Sequence, residues 1–363
     1  MNLLIVTQKV DKNDSVLGFF HSWIEEFAKH FENVNVVCLE KGNYSLPHTV
    51  AVFSLGKERY TPHTAHHVLH KRLLYSINFY KYIWLERKKY DTVFVHMNPE
   101  YVILGGLLWR LWGKKIGLWY VHRAVNLKLR IAEKFTDIIF STTPEAFRLR
   151  SKKVHFLGHG IQFSLFPRRH STEARDRLEI VHVGRITRIK NLGILIMAAS
   201  ILKRKLVKGF RLVLAGAPTT AGDIEYEREL KGLVKNLNLE NEITFFGAVP
   251  FARVGELYRE ADISVNLTPS GGMDKAVLES IASGTLALSS NKAFRGLFGK
   301  HAGYLLYDEK NPDSIAEKII ALCNIDKTLK LKMQEYLYER VKQDFKLEDL
   351  IKHIVALIKN NES

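Results

Sequence analysis

The sequence predicts an α/β protein made of two doubly wound, Rossmann-like domains. Three observations carry that expectation. Short β-branched, apolar runs alternate with amphipathic helical stretches from the first residues onward, as in parallel strands joined by crossover helices. Several of these runs end in glycine, where backbone can pass close to a ligand at a strand's carboxyl end. The 363 residues also suffice for two domains of about 170 each, both large enough for a full core.

Composition narrows the class. Hydrophobic content of 46% with only nine prolines fits a globular chain and excludes disorder. Cys38 and Cys323 stand far apart with no CxxC spacing. This implies reduced, cytoplasmic thiols and neither a disulfide nor a zinc framework. Met1–Thr7 lacks a basic leader and a long apolar core, so it reads as a first strand and not as a signal peptide. The net charge of +16 is uneven: residues 1–170 hold 25 Lys/Arg against 13 Asp/Glu, a surplus of 12, and the remainder 29 against 25. A basic front half implies an anionic partner, whether lipid headgroups, nucleic acid or a phosphorylated substrate.

The first domain is expected over residues 1–167. After the Met1–Thr7 strand comes a polar loop. An amphipathic helix then runs from about Ser15 to Phe31, with Phe19, Trp23, Phe27 and Phe31 on one stripe, and Val34–Leu39 forms the next strand. Residues 69–89 read as a basic, aromatic helix with Leu73, Ile77, Tyr80 and Trp84 on one face and six lysines and arginines around the rest. Two accounts fit it equally: a core-packed helix with a solvated basic face, or a helix lying on a membrane surface. Thr92–His96 is a buried strand. Tyr101–Trp112 is strongly apolar but too short to span a bilayer, and Arg110 breaks it, so it reads as a buried helix or, together with Lys114 and Lys115, as support for a monotopic membrane attachment. Lys115–His122 reads as a strand ending in His122, where doubly wound sheets bring ligands. Thr136–Ser141 is a further strand, and Thr142-Thr-Pro144 is expected to start a helix.

Residues 168–177, charged and without apolar periodicity, form the expected linker to a second domain over 178–342. Leu178–Gly184 is a strand, followed by Arg185, four intervening residues, and Lys190-Asn191 at a helix start. Two cations so close to a strand end and a helix start suit a diphosphate, Arg185 offering a fork and Lys190 a mobile point charge. Phe210–Gly216 is the next strand, Asp223–Asn236 a helix, Ile243–Pro250 a strand with its exit, and Phe251–Glu260 a helix. Ile263–Leu267 then reads as a buried strand broken by Pro269, Gly271 and Gly272, with Asp274 placed to cap a helix carrying Ala276, Val277, Leu278, Ile281 and Ala282 inward. Strand, glycine turn and helix start make an anion cradle. Glu279 lies about one turn into that helix, within reach of sugar hydroxyls. The tail, 343–363, ends in a helix over about Leu347–Asn360 with Leu350, Ile351, Ile354 and Leu357 along one stripe.

Pro269-Ser270, the two glycines, Leu278-Glu279 and Ala282-Ser-Gly284-Thr resemble the signature of retaining glycosyltransferases of the glycogen-synthase-like class, family 4. There the pattern is Pro-Ser-x-x-Glu-Gly-Phe-Gly-x-x-x-Leu-Glu-x-x-Ala-x-Gly-x-Pro. Val183-Gly184-Arg185-x-x-x-x-Lys190-Asn191 matches the family's Val-Gly-Arg segment without a gap, and Phe245-Phe-Gly247-Ala-Val249-Pro250 resembles its Phe-x-Gly-x-Val-Pro. His159-Gly160 to Pro167 resembles the segment that ends its first domain. The resemblance covers nearly the whole chain, most closely between 181 and 285. It departs at Gly271, which stands where the family carries the first glutamate of its Glu-x7-Glu pair.

The resemblance implies the GT-B architecture: two Rossmann-like domains facing a cleft, with the last helix crossing back to the first. It implies transfer of a sugar from a nucleotide-diphosphate donor, a UDP- or GDP-sugar, to a hydroxyl acceptor, with retention at the anomeric carbon. Arg185 and Lys190 would stabilise the leaving diphosphate, Glu279 would hold the ribose and His122 would face the transferred sugar. The donor would lie against Gly18, Gly184, Gly216, Gly247, Val249, Ser270, Gly271, Gly272, Met273, Asp274, Lys275 and Leu278. With no Asp-x-Asp pair in the sequence, no metal or other cofactor is expected.

The charge and aromatic helices of the first domain suggest a glycan or lipid-linked acceptor at an anionic membrane surface, with the protein peripheral on the inner face of the plasma membrane. Three rivals come from other classes. A nucleic-acid-binding protein is disfavoured by the absence of a zinc knuckle, helix-turn-helix or RNP-like motif. A nucleotide-sugar epimerase of the same build and an inactive sugar-nucleotide-binding homologue remain alternatives.

Overall fold

The structure is a computed structural model that describes residues 1–59, 68–168, 175–206, 209–269 and 271–360. The chain divides into two compact units, Met1–Gly160 with Leu347–Ser363, and Ile161–Lys346.

The first unit runs β1 (Leu3–Val10), α1 (Phe19–Ala28), β2 (Val34–Lys41), β3 (Val50–Ser54), α2 (Val68–Leu85), β4 (Thr92–His96), α3 (Pro99–Leu111), β5 (Lys115–Trp119), α4 (Leu127–Phe135), β6 (Ile138–Ser141) and β7 (Val154–Phe156). Its seven parallel strands lie in the order β3-β2-β1-β4-β5-β6-β7. The alternation of sheet-buried Val, Ile, Leu and Phe with crossover helices dictates this: strands covered on both faces are apolar throughout. The stripe read on α1 is buried, Trp23, Phe27 and Phe31 packing under the sheet and Trp23 meeting Trp119 edge-on at 4.8 Å.

Local chemistry moves several boundaries. The first helix begins at Phe19 and not near Ser15, because Asp14 Oδ1 accepts from the Val16 and Leu17 amides and holds a turn there. No helix follows Pro144: Thr143 closes a turn on itself, its hydroxyl and carbonyl both receiving the Ala146 amide, and Arg148–Ser151 offers no apolar stripe to extend it. The strand expected to end at His122 ends at Trp119.

The second unit runs β8 (Leu178–Val183), α5 (Leu192–Lys205), β9 (Phe210–Ala215), α6 (Ala221–Asn236), β10 (Ile243–Gly247), α7 (Val254–Glu260), β11 (Ile263–Asn266), α8 (Lys275–Ala282), β12 (Leu286–Ser289), α9 (Arg295–Phe298), α10 (Ala302–Leu305), α11 (Pro312–Asn324) and α12 (Lys327–Asp344). Its five parallel strands are ordered β10-β9-β8-β11-β12. The chain then returns to the first unit as α13 (Leu347–Asn360), whose Leu347, Leu350, Ile351, Ile354, Val355 and Ile358 are buried beside α1. Gly160 has no side chain for this reason: a Cβ there would stand 2.9 Å from both Leu347 and Leu350. Burying six such side chains is worth about 1.5–3 kcal/mol each against leaving them in water.

In both sheets the strand order reverses direction once, between β1 and β4 and between β8 and β11. A doubly wound sheet takes its ligand beyond the carboxyl ends of the strands at such a reversal.

Candidate functional site

In the second unit the reversal lies between β8 and β11, and most of the residues singled out in the sequence meet there. The carboxyl edge of the sheet carries a row of three glycines. The Gly184 amide donates to Ala215 O at 2.9 Å, and the Gly216 amide donates to Gly247 O at 2.8 Å. Gly216 must be glycine, since a Cβ would stand 1.9 Å from the Gly184 carbonyl oxygen. Gly247 has φ +82°, which favours glycine for a different reason, conformation instead of space. The edge is thereby bare of side chains where a ligand would lie.

The two cations beyond β8 have different environments. Arg185 is exposed, and its guanidinium makes no hydrogen bond or ion pair among the described residues. Lys190 ends a short 3-10 turn before left-handed Asn191, and its ammonium is engaged by Asp274 Oδ2 at 2.6 Å and Thr268 Oγ1 at 2.7 Å. Asp274 Oδ2 also accepts from Asn266 Nδ2 at 3.0 Å and from the Thr268 hydroxyl at 2.5 Å, while Oδ1 caps α8 by accepting from the Ala276 amide. Burial alone would push this carboxyl up, but the Lys190 ammonium and the bonds from Thr268 and Asn266 hold it well below the usual carboxylate range. Both oxygens of Asp274 are thus committed within the protein. It sits at the start of α8 with its carboxylate on the Lys190 ammonium.

Glu279 is buried on α8, with Lys275 one turn earlier at 3.8 Å. Burial pushes the Glu279 carboxyl up to about 7, with the Lys275 ammonium opposing the rise and the Asp274 carboxylate adding to it. Burial also pushes the Lys275 ammonium down, against the pull of Glu279 and Asp274. Glu279 is therefore poised between its charged and neutral forms near neutral pH.

The turn before α8 is pinned from below. Asn291, fully buried, accepts the Gly271 amide at 3.4 Å and donates to the Gly272 carbonyl at 3.0 Å. Ser270 lies outside the described residues. Met273 packs half-buried against the core, while Leu278 and Val249 are buried.

Gly18 and His122 belong to the first unit. Gly18 is buried at the start of α1, and His122 is exposed beyond β5 with Nδ1 accepting the Ala124 amide at 3.0 Å.

Four site residues were not read from the sequence: Asn266, Thr268, Asn291 and His182. The first two flank the β11 exit and a short side-chain amide or hydroxyl there was a legible signal. His182 was not, being a lone imidazole inside a strand. It is fully buried; Nδ1 donates to the Val265 carbonyl at 2.9 Å, which leaves Nε2 as the unprotonated nitrogen beside Gly184 with no partner among the described residues. Burial, reinforced by Lys190, pushes the imidazole down to about 4, so it is neutral at physiological pH. Among the described residues no three or more His, Cys, Asp or Glu side chains gather as a metal site would need.

Two doubly wound units in one chain, with the last helix returned to the first, form the GT-B fold. Anabaena HepE, solved in complex with UDP and glucose, shares it with a TM-score of 0.76 at 15% identity, covering 99% of each chain. Residues 166–344, just under half of the chain, match the family described as Glycosyl transferases group 1. Mannosylfructose-phosphate synthase of Agrobacterium fabrum is 26% identical over 201 residues, covering 49% of this chain and 44% of the relative. Alpha-monoglucosyldiacylglycerol synthase of Streptococcus pneumoniae is 26% identical over 186 residues, covering 50% and 40%. The chain spans less than half the length of these curated relatives.

Proposed function

We propose that the protein is a retaining, metal-independent hexosyltransferase that moves a sugar from a UDP- or GDP-sugar to a hydroxyl of a lipid-linked or polysaccharide acceptor. One observation carries the reading: a glycine-bare sheet edge at the strand reversal lies with an exposed arginine, a glycine turn and a buried glutamate in the same unit. That set suits a sugar nucleotide from end to end. Diphosphate would lie by Arg185 and the turn, ribose hydroxyls on Glu279, and the base by the Gly247–Val249 backbone.

In the reaction the bond from the anomeric carbon to the diphosphate oxygen breaks, its electron pair leaving with the nucleotide; the acceptor oxygen bonds to that carbon and its hydroxyl proton passes to the departing diphosphate oxygen. The difficult charge is on the departing diphosphate. Fixed cations and amide dipoles stabilise such charge without reorganising at the moment of reaction. Asp274 does not take over the part of the glutamate replaced by Gly271, because both of its oxygens are committed.

The relative named alpha-monoglucosyldiacylglycerol synthase makes, by that name, a glucosylated diacylglycerol, which supports a lipid acceptor here. No helix among the described residues is long and apolar enough to cross a membrane; the basic, aromatic helices of the first unit support a peripheral attachment, on the inner face of the plasma membrane.

The test is incubation with UDP- and GDP-hexoses and a membrane lipid extract, reading nucleotide release and the fate of the sugar. Sugar joined to lipid or glycan is the expected result. Free sugar released with the nucleotide and inverted at a ring carbon would establish the epimerase alternative, and donor binding without turnover the inactive homologue. Turnover is expected to persist in EDTA; a strict requirement for a divalent ion would contradict the assignment of the leaving-group charge to protein cations.

A pH dependence follows from Glu279. Above about pH 7 its carboxyl is ionised and is the stronger acceptor for ribose hydroxyls; below, the proton weakens it. Calorimetric affinity for UDP is expected to rise through that range in the wild type. In Glu279→Gln the remaining slope should be that of the ligand's own phosphate.

A further inference from the structure

The first unit exposes an apolar face that its fold does not use. On α2, Leu73, Ile77 and Trp84 are 59%, 53% and 51% exposed, and on α3, Leu107 and Leu111 are 59% and 73% exposed. The two helices lie side by side. Phe79 packs inward against Trp109, Tyr80 donates its hydroxyl to Leu104 O at 3.1 Å, and Trp84 meets Trp112 edge-on at 5.5 Å. Leu107 and Leu111 stand between those last two contact points on α3, so the exposed side chains border one seam. Single exposed leucines are ordinary; five large apolar groups along a helix pair are not.

The stripe read from the sequence as either core or surface is therefore surface. The core of this layer is built instead by Phe79 and Ile83, on the opposite side of α2, which are buried with Trp109.

The charges around the face point to its occupant. Residues 68–89 carry six lysines and arginines and a single acid, Glu86, which is paired with Lys89 at 3.0 Å. Arg87 lies over the Trp84 ring at 4.6 Å, placing a cation at the rim of the apolar patch. Arg72, Lys81 and Lys88 are exposed along the same helix. Aromatic and aliphatic groups ringed by cations match the boundary between acyl chains and anionic headgroups.

We propose that the paired faces of α2 and α3 dock this protein on an anionic lipid bilayer, with Trp84, Leu73, Ile77, Leu107 and Leu111 entering the interface and the surrounding cations meeting the headgroups. A protein partner would need complementary acidic and apolar surface; a second copy of this chain brings the same positive face and would be repelled. The inference concerns the first unit and needs no sugar-nucleotide chemistry, so it stands or falls separately from the transferase reading.

The full chain is mixed with vesicles of phosphatidylcholine alone or with phosphatidylglycerol added, and sedimented. Wild type is expected on the anionic vesicles, with weaker binding to the neutral ones, and its tryptophan emission should shift to the blue as Trp84 leaves water. Leu73→Ser/Ile77→Ser/Trp84→Ser removes groups that are more than half exposed, so its thermal transition should stay cooperative and fall by only a few degrees, mostly through the lost Trp84–Trp112 contact, while vesicle affinity falls at least tenfold. Lys81→Glu/Lys88→Glu should lose affinity on anionic vesicles alone. Equal binding by wild type and the triple variant, or no wild-type binding to anionic vesicles, would overturn the proposal. So would a wild-type dimer in solution that the triple variant abolishes, which would assign the face to a second copy.

Discussion

Replacing Lys190 with alanine is expected to damage both stability and turnover. The Lys190 ammonium is the only cation within ion-pair distance of Asp274 among the described residues, and the carboxylate sits among Thr268, Asn266 and the α8 start. Removing one partner of a buried pair leaves an uncompensated charge, at a cost of about 3–5 kcal/mol.

The sign with pH is specific. In the wild type the folded carboxyl is held below its ordinary value of 3.8, so its contribution is present above that value and is lost as the pH falls below it. In Lys190→Ala, burial dominates and raises the carboxyl, so the deficit is largest near neutral pH and shrinks on acidification. Thermal unfolding as a function of pH checks this. Turnover should fall by about a hundredfold beyond any loss of folded protein. The double variant Lys190→Ala/Asp274→Asn separates the effects: it should recover most of the stability and little of the activity. Equal instability of the single and double variants would remove the coupling.

Arg185→Ala is expected to damage turnover alone. Its guanidinium is exposed and makes no hydrogen bond or ion pair among the described residues; surface changes of that kind stay within about 0.5 kcal/mol. Yet on the proposed function it is the cation not already neutralised within the protein, and it should carry the larger share of the diphosphate charge. Turnover should fall by about a hundredfold or more at unchanged thermal stability. Arg185→Lys should recover only part of the loss, because a point charge does not replace a two-pronged fork.

This asymmetry was not legible in the sequence. Spacing places Arg185 and Lys190 alike beside a strand end, but Asp274 reaches Lys190 from 84 positions away, and only the sheet order brings β8 and β11 together. What local pattern does govern was legible. The strand, glycine turn and α8 follow from β-branched residues, two glycines and an aspartate cap, whose side chain accepts from the Ala276 amide as expected. The α13 stripe was read from its period, and its face is buried.

Period alone could not decide α2, since a core stripe and a membrane stripe repeat alike; what decided it was Phe79 and Ile83, which win the core on the opposite side. The strand Val50–Ser54 went unread because five residues after Pro47 carry too little pattern, and it forms by pairing with β2. The Asn291 clamp was equally hidden: its partners at Gly271 and Gly272 lie 20 and 19 positions upstream, across β12.

The central claim is that this sheet edge receives a diphosphate through Arg185. Isothermal titration of UDP and GDP into the wild type and into Arg185→Ala addresses it without knowledge of the acceptor. Saturable binding of at least one nucleotide by the wild type, weakened at least tenfold in a variant of unchanged melting temperature, is the predicted result. Indistinguishable affinities in the two proteins, or no binding of either nucleotide by the wild type, would contradict it.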